Sequence, residues 1–334
     1  MVDLDVANLH VGFTLDDRRI VHAVRGVDLQ VRRGQRYGIV GESGCGKSTL
    51  LMALLGLLPA NAIVSGQVRL RGKEILADDA ALRGVRWKEV AVVFQGAMNA
   101  LNPVKTIGWQ IAEPVRLHGG PTSRRAVDAR VGDLLELVGI PQGRMHAYPH
   151  ELSGGMRQRA AIAMALACDP MVLLADEPTS ALDVVTQAQI MRLLTGLCEQ
   201  RDLALVLVSH DLPLVTEYCD DVAVMYGGRL VETAPADAIE ASSLHHYTRA
   251  LFGSIPDPDA TALPAPLEGA PPRLDRWIAG CAFRPRCSMA IDRCAVEEPV
   301  MLPVHVLGHR SACHRARQLA SIDEGADWTA GRVQ

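Results

Sequence analysis

From Val6 to about Pro256, short apolar runs alternate with longer stretches in which apolar residues recur at helical spacing. That alternation predicts an α/β core, doubly wound or mixed. Strands are expected at Arg36–Val40, Val90–Gln95, Met171–Ala175 and Leu203–Ser209, and a helix over Thr49–Leu58. The last three strands are strongly apolar, as strands covered on both faces are. Between about 99 and 161 the strand-like runs disappear, and Val131, Leu134, Leu135 and Val138 mark a helix face that stops at Gly139. A helical subdomain inserted in the α/β core is the expectation. After Ile255 the pattern is lost in PDPDATALPAPLEGAPP, which reads as a linker or extended arm over 256–278. The expected organisation is a main unit at 1–255, that linker, a cysteine-rich extension at 279–316 and a weakly structured tail at 317–334. No internal repeat of fixed period is present, so one unit is expected and not a tandem pair.

Composition narrows the classes. The chain has 334 residues, 49% hydrophobic and 22% charged, which supplies a core and excludes disorder as the main state. With 34 Lys plus Arg against 38 Asp plus Glu, the net charge of −4 argues against a protein that coats nucleic acid. No apolar run approaches the roughly 18–20 residues of a spanning helix. The opening MVDLDVANLH lacks a basic segment followed by an apolar one, so a cytosolic chain is expected. Of eight cysteines, four crowd into 281–313, and in a reducing compartment that suggests a metal before disulfides.

The chemistry begins at Gly41-Glu42-Ser43-Gly44-Cys45-Gly46-Lys47-Ser48, which fits G-x-x-x-x-G-K-[ST] between an expected strand and a helix that opens at Thr49. Such glycines let successive N–H groups point inward at phosphate, and the helix start adds its partial positive charge. Lys47 would reach the β- and γ-phosphates and Ser48 would give a hydroxyl to Mg²⁺. Cys45, near a helix start, reads either as a redox-sensitive thiol of lowered pKa or as an inert small residue. A second element, Met171 to Glu177, is an apolar strand ending in two carboxylates that face opposite sides if the strand continues. Asp176 is assigned to the metal and Glu177 to the attacking water.

Leu152-Ser153-Gly154-Gly155-Met156-Arg157-Gln158-Arg159 resembles the signature motif of ATP-binding cassette (ABC) proteins. Gln95 resembles their glutamine loop, Ser180-Ala181-Leu182-Asp183 the loop after the catalytic glutamate, and His210 the switch histidine. The resemblance implies a P-loop ABC ATPase core with ATP and Mg²⁺ as cofactors. It implies catalytic roles for Glu177 and His210, and Mg²⁺ held through Ser48, Gln95 and Asp176. Ser153, Gly154 and Gly155 would face the ATP of a second cassette, with Asp183 on the inter-subunit loop. Phe13 reads either as the aromatic that stacks on adenine or as a core phenylalanine.

Within that family, Phe94 to Pro103 resembles the dipeptide and oligopeptide importers, where this segment helps form the groove for the permease. His245-His246-Tyr247-Thr248-Arg249-Ala250-Leu251 and Ser254-Ile255-Pro256 resemble the start of their C-terminal extension. The resemblance covers about residues 4–315. It implies two transmembrane permease subunits, a second and non-identical ATPase subunit, and an extracytoplasmic substrate-binding protein. No nucleic acid is implied, and the location is the cytoplasmic face of the cell membrane. Nickel and glutathione importers share this architecture. A soluble cassette acting on ribosomes or DNA is the rival reading, disfavoured by the absence of a repeat, a heptad run or a basic balance.

Cys281, Cys287, Cys294 and Cys313 are spaced C-x5-C-x6-C-x18-C, unlike the C-x2-C knuckles of common zinc modules and unlike the bacterial ferredoxin run. Four thiolates suit an iron–sulfur cluster or a Cys₄ zinc site, and free thiols or disulfides stay open. Arg284, Arg286, Arg293 and Arg310 would offset the charge of either centre. Some peptide importers that are similar here carry a [4Fe–4S] cluster, which the resemblance makes the leading expectation.

Overall fold

The protein is described by a computed structural model covering residues 1–96, 101–118, 120, 123–255, 267–276, 278–304 and 308–323. Two 13-residue strands, β1 (Val2–Thr14) and β2 (Ile20–Arg32), open the chain as an antiparallel pair. Next come β3 (Arg36–Val40), α1 (Lys47–Leu54), β4 (Ala62–Leu70), β5 (Lys73–Glu74), α2 (Asp79–Val85) and β6 (Val90–Val93). The helical subdomain carries α3 (Ile107–Leu117), α4 (Arg124–Leu137) and α5 (Gly154–Ala165), capped by the side chains of Thr106, Ser123 and Ser153. The core resumes with β7 (Val172–Asp176), α6 (Val184–Arg201), β8 (Ala204–Ser209), α7 (Leu212–Tyr218), β9 (Asp221–Tyr226) and β10 (Arg229–Pro235). It closes with α8 (Ala236–Ala241) and α9 (His246–Gly253).

The main sheet runs β10-β9-β3-β8-β7-β6, with β9 through β6 parallel, while β2-β1-β4-β5 form a separate antiparallel sheet. The unbroken apolar runs of β7 and β8 follow from this layering. Leu173, Leu205 and Leu207 join the core under the helices, whereas Leu174, Val206 and Val208 join the core facing the antiparallel sheet. Alternate residues thus enter two separate cores, and no polar face is left to interrupt the run. All four expected strands form, each within about one or two residues of its expected limits.

The N-terminal antiparallel sheet was not expected as such. Its register slips between Val6 and Leu9, where Asn8 takes a left-handed φ of 48°, so alternation changes phase inside one strand.

The C-terminal limits also differ from expectation. Ser311 pairs with Glu232 of β10, and the short strand Leu302–Pro303 pairs in turn with Arg310–Ser311, so the extension continues the main sheet. Glu232, fully buried, accepts the N–H groups of Leu244 and His245 and meets His309 Nε2 at 2.7 Å, which seals that junction. Residues 267–276 lie on the core as an arm, since the Leu274 carbonyl accepts the His22 N–H at 2.9 Å. The expected tail begins as a helix, Ala316–Asp323, whose Leu319 is buried with Leu244.

Gly38 of β3 shows how closely α7 approaches: a Cβ there would lie 2.0 Å from Val215 Cγ1. Gly38→Ala is expected to cost about 1–3 kcal/mol of stability by overpacking. Urea midpoints check this, and Val215→Ala in the same chain should recover part of the loss.

Candidate active site

The phosphate loop leaves the end of β3 and folds under neighbouring backbone. Gly41 (φ 156°) and Gly46 (φ 110°) sit where a Cβ would come within 2.2 Å of the Met225 and Ala23 carbonyl oxygens. Only glycine fits there, so the motif's first and last glycines are steric requirements. Gly46 precedes α1 without any side-chain cap, leaving the helix's first N–H groups to point into the loop. Lys47 is 6% exposed, and its ammonium donates to the Gly41 carbonyl at 2.6 Å and the Glu42 carbonyl at 3.0 Å. A buried cation held by two carbonyls and the Cys45 sulfur at 3.7 Å, with no carboxylate among these partners, lies beside free N–H groups, which is an arrangement that fits an anion. Ser43, Gly44 and Ser48 line the exposed side of the loop, and Thr49 is half-buried one residue on.

Asp176, the last residue of β7, is buried. The Ser48 side chain lies close enough to favour its charged form, while its Oδ1 is buried with no partner. Burial raises its pKa, the effect of Glu177 adds to the rise, and Ser48 and Lys47 oppose it. A hydroxyl beside an unsatisfied buried carboxylate oxygen fits the oxygen donors that Mg²⁺ takes.

Glu177 departs from the expected continuation of the strand. Its φ of 45° turns the chain, although its N–H still donates to the Val208 carbonyl at 2.8 Å. This kink separates the two carboxylates, where the expectation relied on strand alternation. Glu177 Oε2 accepts from Gln95 Nε2 at 2.9 Å and Oε1 meets His210 Nδ1 at 3.0 Å. Gln95, expected on Mg²⁺, is therefore found on Glu177, and of the three expected metal ligands only Ser48 and Asp176 come together.

Ser153 opens α5, its hydroxyl accepting the Met156 N–H at 3.3 Å, with Gly154 and Gly155 in the first turn. Asp183 caps α6 through the N–H and hydroxyl of Thr186, and the exposed Val184 (82%) and Val185 (68%) follow it. Phe13 is half-buried on β1, paired with Val21 and Ala62 and packed on the core that also holds Cys45. Cys45 is buried and its thiol pKa is raised by that burial, so the low-pKa redox reading is corrected. Two residues not foreseen here reach Glu42: its N–H donates to the Tyr247 hydroxyl at 2.9 Å, and its carboxylate pairs with Arg286. Separations of 205 and 244 residues leave no local signal for either contact.

The four late cysteines line one cavity together with His245 and His246. The backbone of Phe283, Met289 and Arg315, each two residues on, favours the thiolate of Cys281, Cys287 and Cys313. Burial nevertheless raises these three thiols, Cys281 to about 11. Among the described residues, no group of three or more His, Cys, Asp or Glu side chains is arranged to hold a metal. The expected charge partners differ too. Arg286 turns to Glu42, Arg293 to Glu297 and Arg310 to the Met301 carbonyl, while Arg315 acts on Cys287.

Comparison with known proteins meets this geometry. The chain is 42% identical over 327 residues, 96% of both chains, to a protein of Sinorhizobium fredii named a probable peptide ABC transporter ATP-binding protein, y4tR. The chain belongs to the ABC transporter family. The family described as "ABC transporter" matches residues 24–180, and "Oligopeptide/dipeptide transporter, C-terminal region" matches 231–294. An oligopeptide transport ATP-binding protein, OppD, of Mycobacterium tuberculosis is 45% identical over 93% of this chain, which spans 52% of that protein. Among solved structures, the ATP-binding cassette MJ0796, dimeric and bound to ADP and Pi, superposes with a TM-score of 0.62 at 29% identity. That match covers 70% of this chain and 98% of the other. The ABC fold thus places the phosphate loop, Asp176, Glu177, His210 and Gln95 at one end of the main sheet.

Asp176→Asn should leave the chain at least as stable in urea, because burial disfavours the charge and one carboxylate oxygen has no partner, while Mg²⁺-dependent nucleotide turnover is lost. Equal turnover in that variant would sink the metal role given to Asp176.

Proposed function

We propose that the chain is the ATP-hydrolysing subunit of a membrane importer for di- and oligopeptides. The observation that carries hydrolysis is Glu177, held between Gln95 and His210 beside the Ser48–Asp176 pair. The match of residues 231–294 to the C-terminal region of peptide transporters supports the cargo class.

Binding of a nucleotide triphosphate would draw the Lys47 ammonium from the Gly41 and Glu42 carbonyls to the phosphates, while the α1 N–H groups face the same oxygens. Mg²⁺, when bound, neutralises charge on the phosphate oxygens, and Ser48 and Asp176 would hold it. Glu177 would orient and accept a proton from the attacking water, with His210 and Gln95 fixing its carboxylate. Ser153 and the Gly154–Gly155 N–H groups would serve the nucleotide of a second cassette. The exposed Val184 and Val185 beside Asp183 offer apolar surface to it. Val104, 74% exposed, and the partly exposed Trp109 offer a similar surface near the segment expected to meet the permease, of which 97–100 lie outside the described residues. Phe13 would stack on the base. The remaining partners are two permease subunits at the cytoplasmic face of the membrane and an external binding protein.

We further infer that Cys281, Cys287, Cys294 and Cys313 hold a [4Fe–4S] cluster, with zinc as the alternative. Support comes from the one cavity that all four cysteines line, with the neighbouring backbone of Phe283, Met289 and Arg315 opposing the rise that burial gives three of the thiols. Protein purified without oxygen should carry stoichiometric iron and sulfide. Finding neither iron nor zinc overturns the reading.

Glu177→Gln should keep ATP binding while turnover falls by orders of magnitude, measured as phosphate release against nucleotide binding. Unchanged turnover would refute the role of Glu177. Co-purification with two hydrophobic permease subunits and a peptide-loaded binding protein tests the transport reading, and a system loaded with nickel or glutathione would redirect it.

A further inference from the structure

Arg286 lies one residue before Cys287 in the extension, yet its side chain ends at the phosphate loop. Its Nη1 donates to Glu42 Oε2 at 2.6 Å and its Nη2 to Glu42 Oε1 at 2.9 Å, a two-pronged pair with a guanidinium only 3% exposed. The other donors are committed as well, to the Glu268 and Leu267 carbonyls and the Tyr226 hydroxyl. Such a fork fixes the plane of the carboxylate as well as its distance. Glu42 is thereby held at three points: its carboxylate by Arg286, its N–H by Tyr247, and its carbonyl by the Lys47 ammonium. Lys47 must leave that carbonyl to meet a phosphate, so whatever sets Glu42 sets the starting position of the phosphate-binding cation. Phe283, two residues after Cys281, packs on the rings of Tyr226 and Tyr247 with centroids 5.4 Å away in both cases. The turn that carries Arg286 is therefore clamped to the residue that holds the Glu42 N–H.

We propose that Arg286 is a positioning residue for the phosphate loop, through which the packing of the cysteine-bearing extension sets nucleotide affinity. It acts through Glu42 and touches no nucleotide. The coupling is reciprocal, so a bound nucleotide must also tighten the extension.

The test is equilibrium binding of a fluorescent ATP analogue with Mg²⁺ to the full chain. R286A and E42Q should each weaken binding by at least about fivefold, the low end of usual coupling between sites. R286K, which keeps the charge and loses the fork, should fall between wild type and R286A. The double variant R286A/E42Q should bind no worse than the weaker single variant, because the two side chains act as one unit. E42Q leaves the carbonyl contacts of Arg286 intact, so it still reports if R286A fails to fold. Amide exchange over 280–296 should slow on nucleotide binding in wild type and not in E42Q. Unchanged affinity in E42Q, additive losses in the double variant, or protection that survives E42Q would each overturn the proposal.

Discussion

Parallel pairing of β3, β8, β7 and β6 is the constraint from which the site follows. Neighbouring strands lie about 4.8 Å apart and end on the same edge of the sheet, so the groups that follow them are brought side by side without further design. The phosphate loop leaves β3, His210 follows β8, Asp176 ends β7 with Glu177 just beyond it, and Gln95 follows β6. The antiparallel sheet and the helices supply the two cores that keep these strands buried, and with them the edge on which the chemistry depends.

At that edge, close backbone approach does as much as charge. The Met225 and Ala23 carbonyls come so near Gly41 and Gly46 that no side chain fits at either position, so the path of the loop is fixed by backbone packing. The left-handed turn at Glu177 then rotates one carboxylate away from its neighbour, so that one faces the Ser48 hydroxyl and the other faces an imidazole and an amide. Strained φ values of this kind persist where the surroundings over-determine them, here through the N–H bond to Val208.

Legibility from the sequence tracked the range of each interaction. The four buried strands, the helical insertion and the phosphate loop are encoded within short windows, because an apolar run or a glycine spacing states its own environment. β1 escaped notice because a left-handed Asn8 shifts its alternation mid-strand. Cys45 was open between two readings because spacing near a helix start says nothing about burial, and burial decided it. Gln95, Arg286 and Tyr247 took partners far along the chain, and no local pattern records a contact across more than 80 residues. The extension is hard to join to the core from sequence for the same reason: its ties to the sheet, the short pairings, the buried Glu232, Phe283 on Tyr226 and Glu298 on Arg25 and Arg229, all span long stretches of chain.

Those short pairings have a consequence for the molecule's surface. Beyond β10 the main sheet continues through Arg310–Ser311 and ends on Leu302–Pro303. Proline has no N–H to offer, and a two-residue strand is too brief to template another, so the sheet closes on a margin that resists edge-to-edge pairing. The C-terminal segment thus covers the middle of β10, at Glu232 and Thr233, and gives the sheet a short proline-bearing margin in place of a longer open strand.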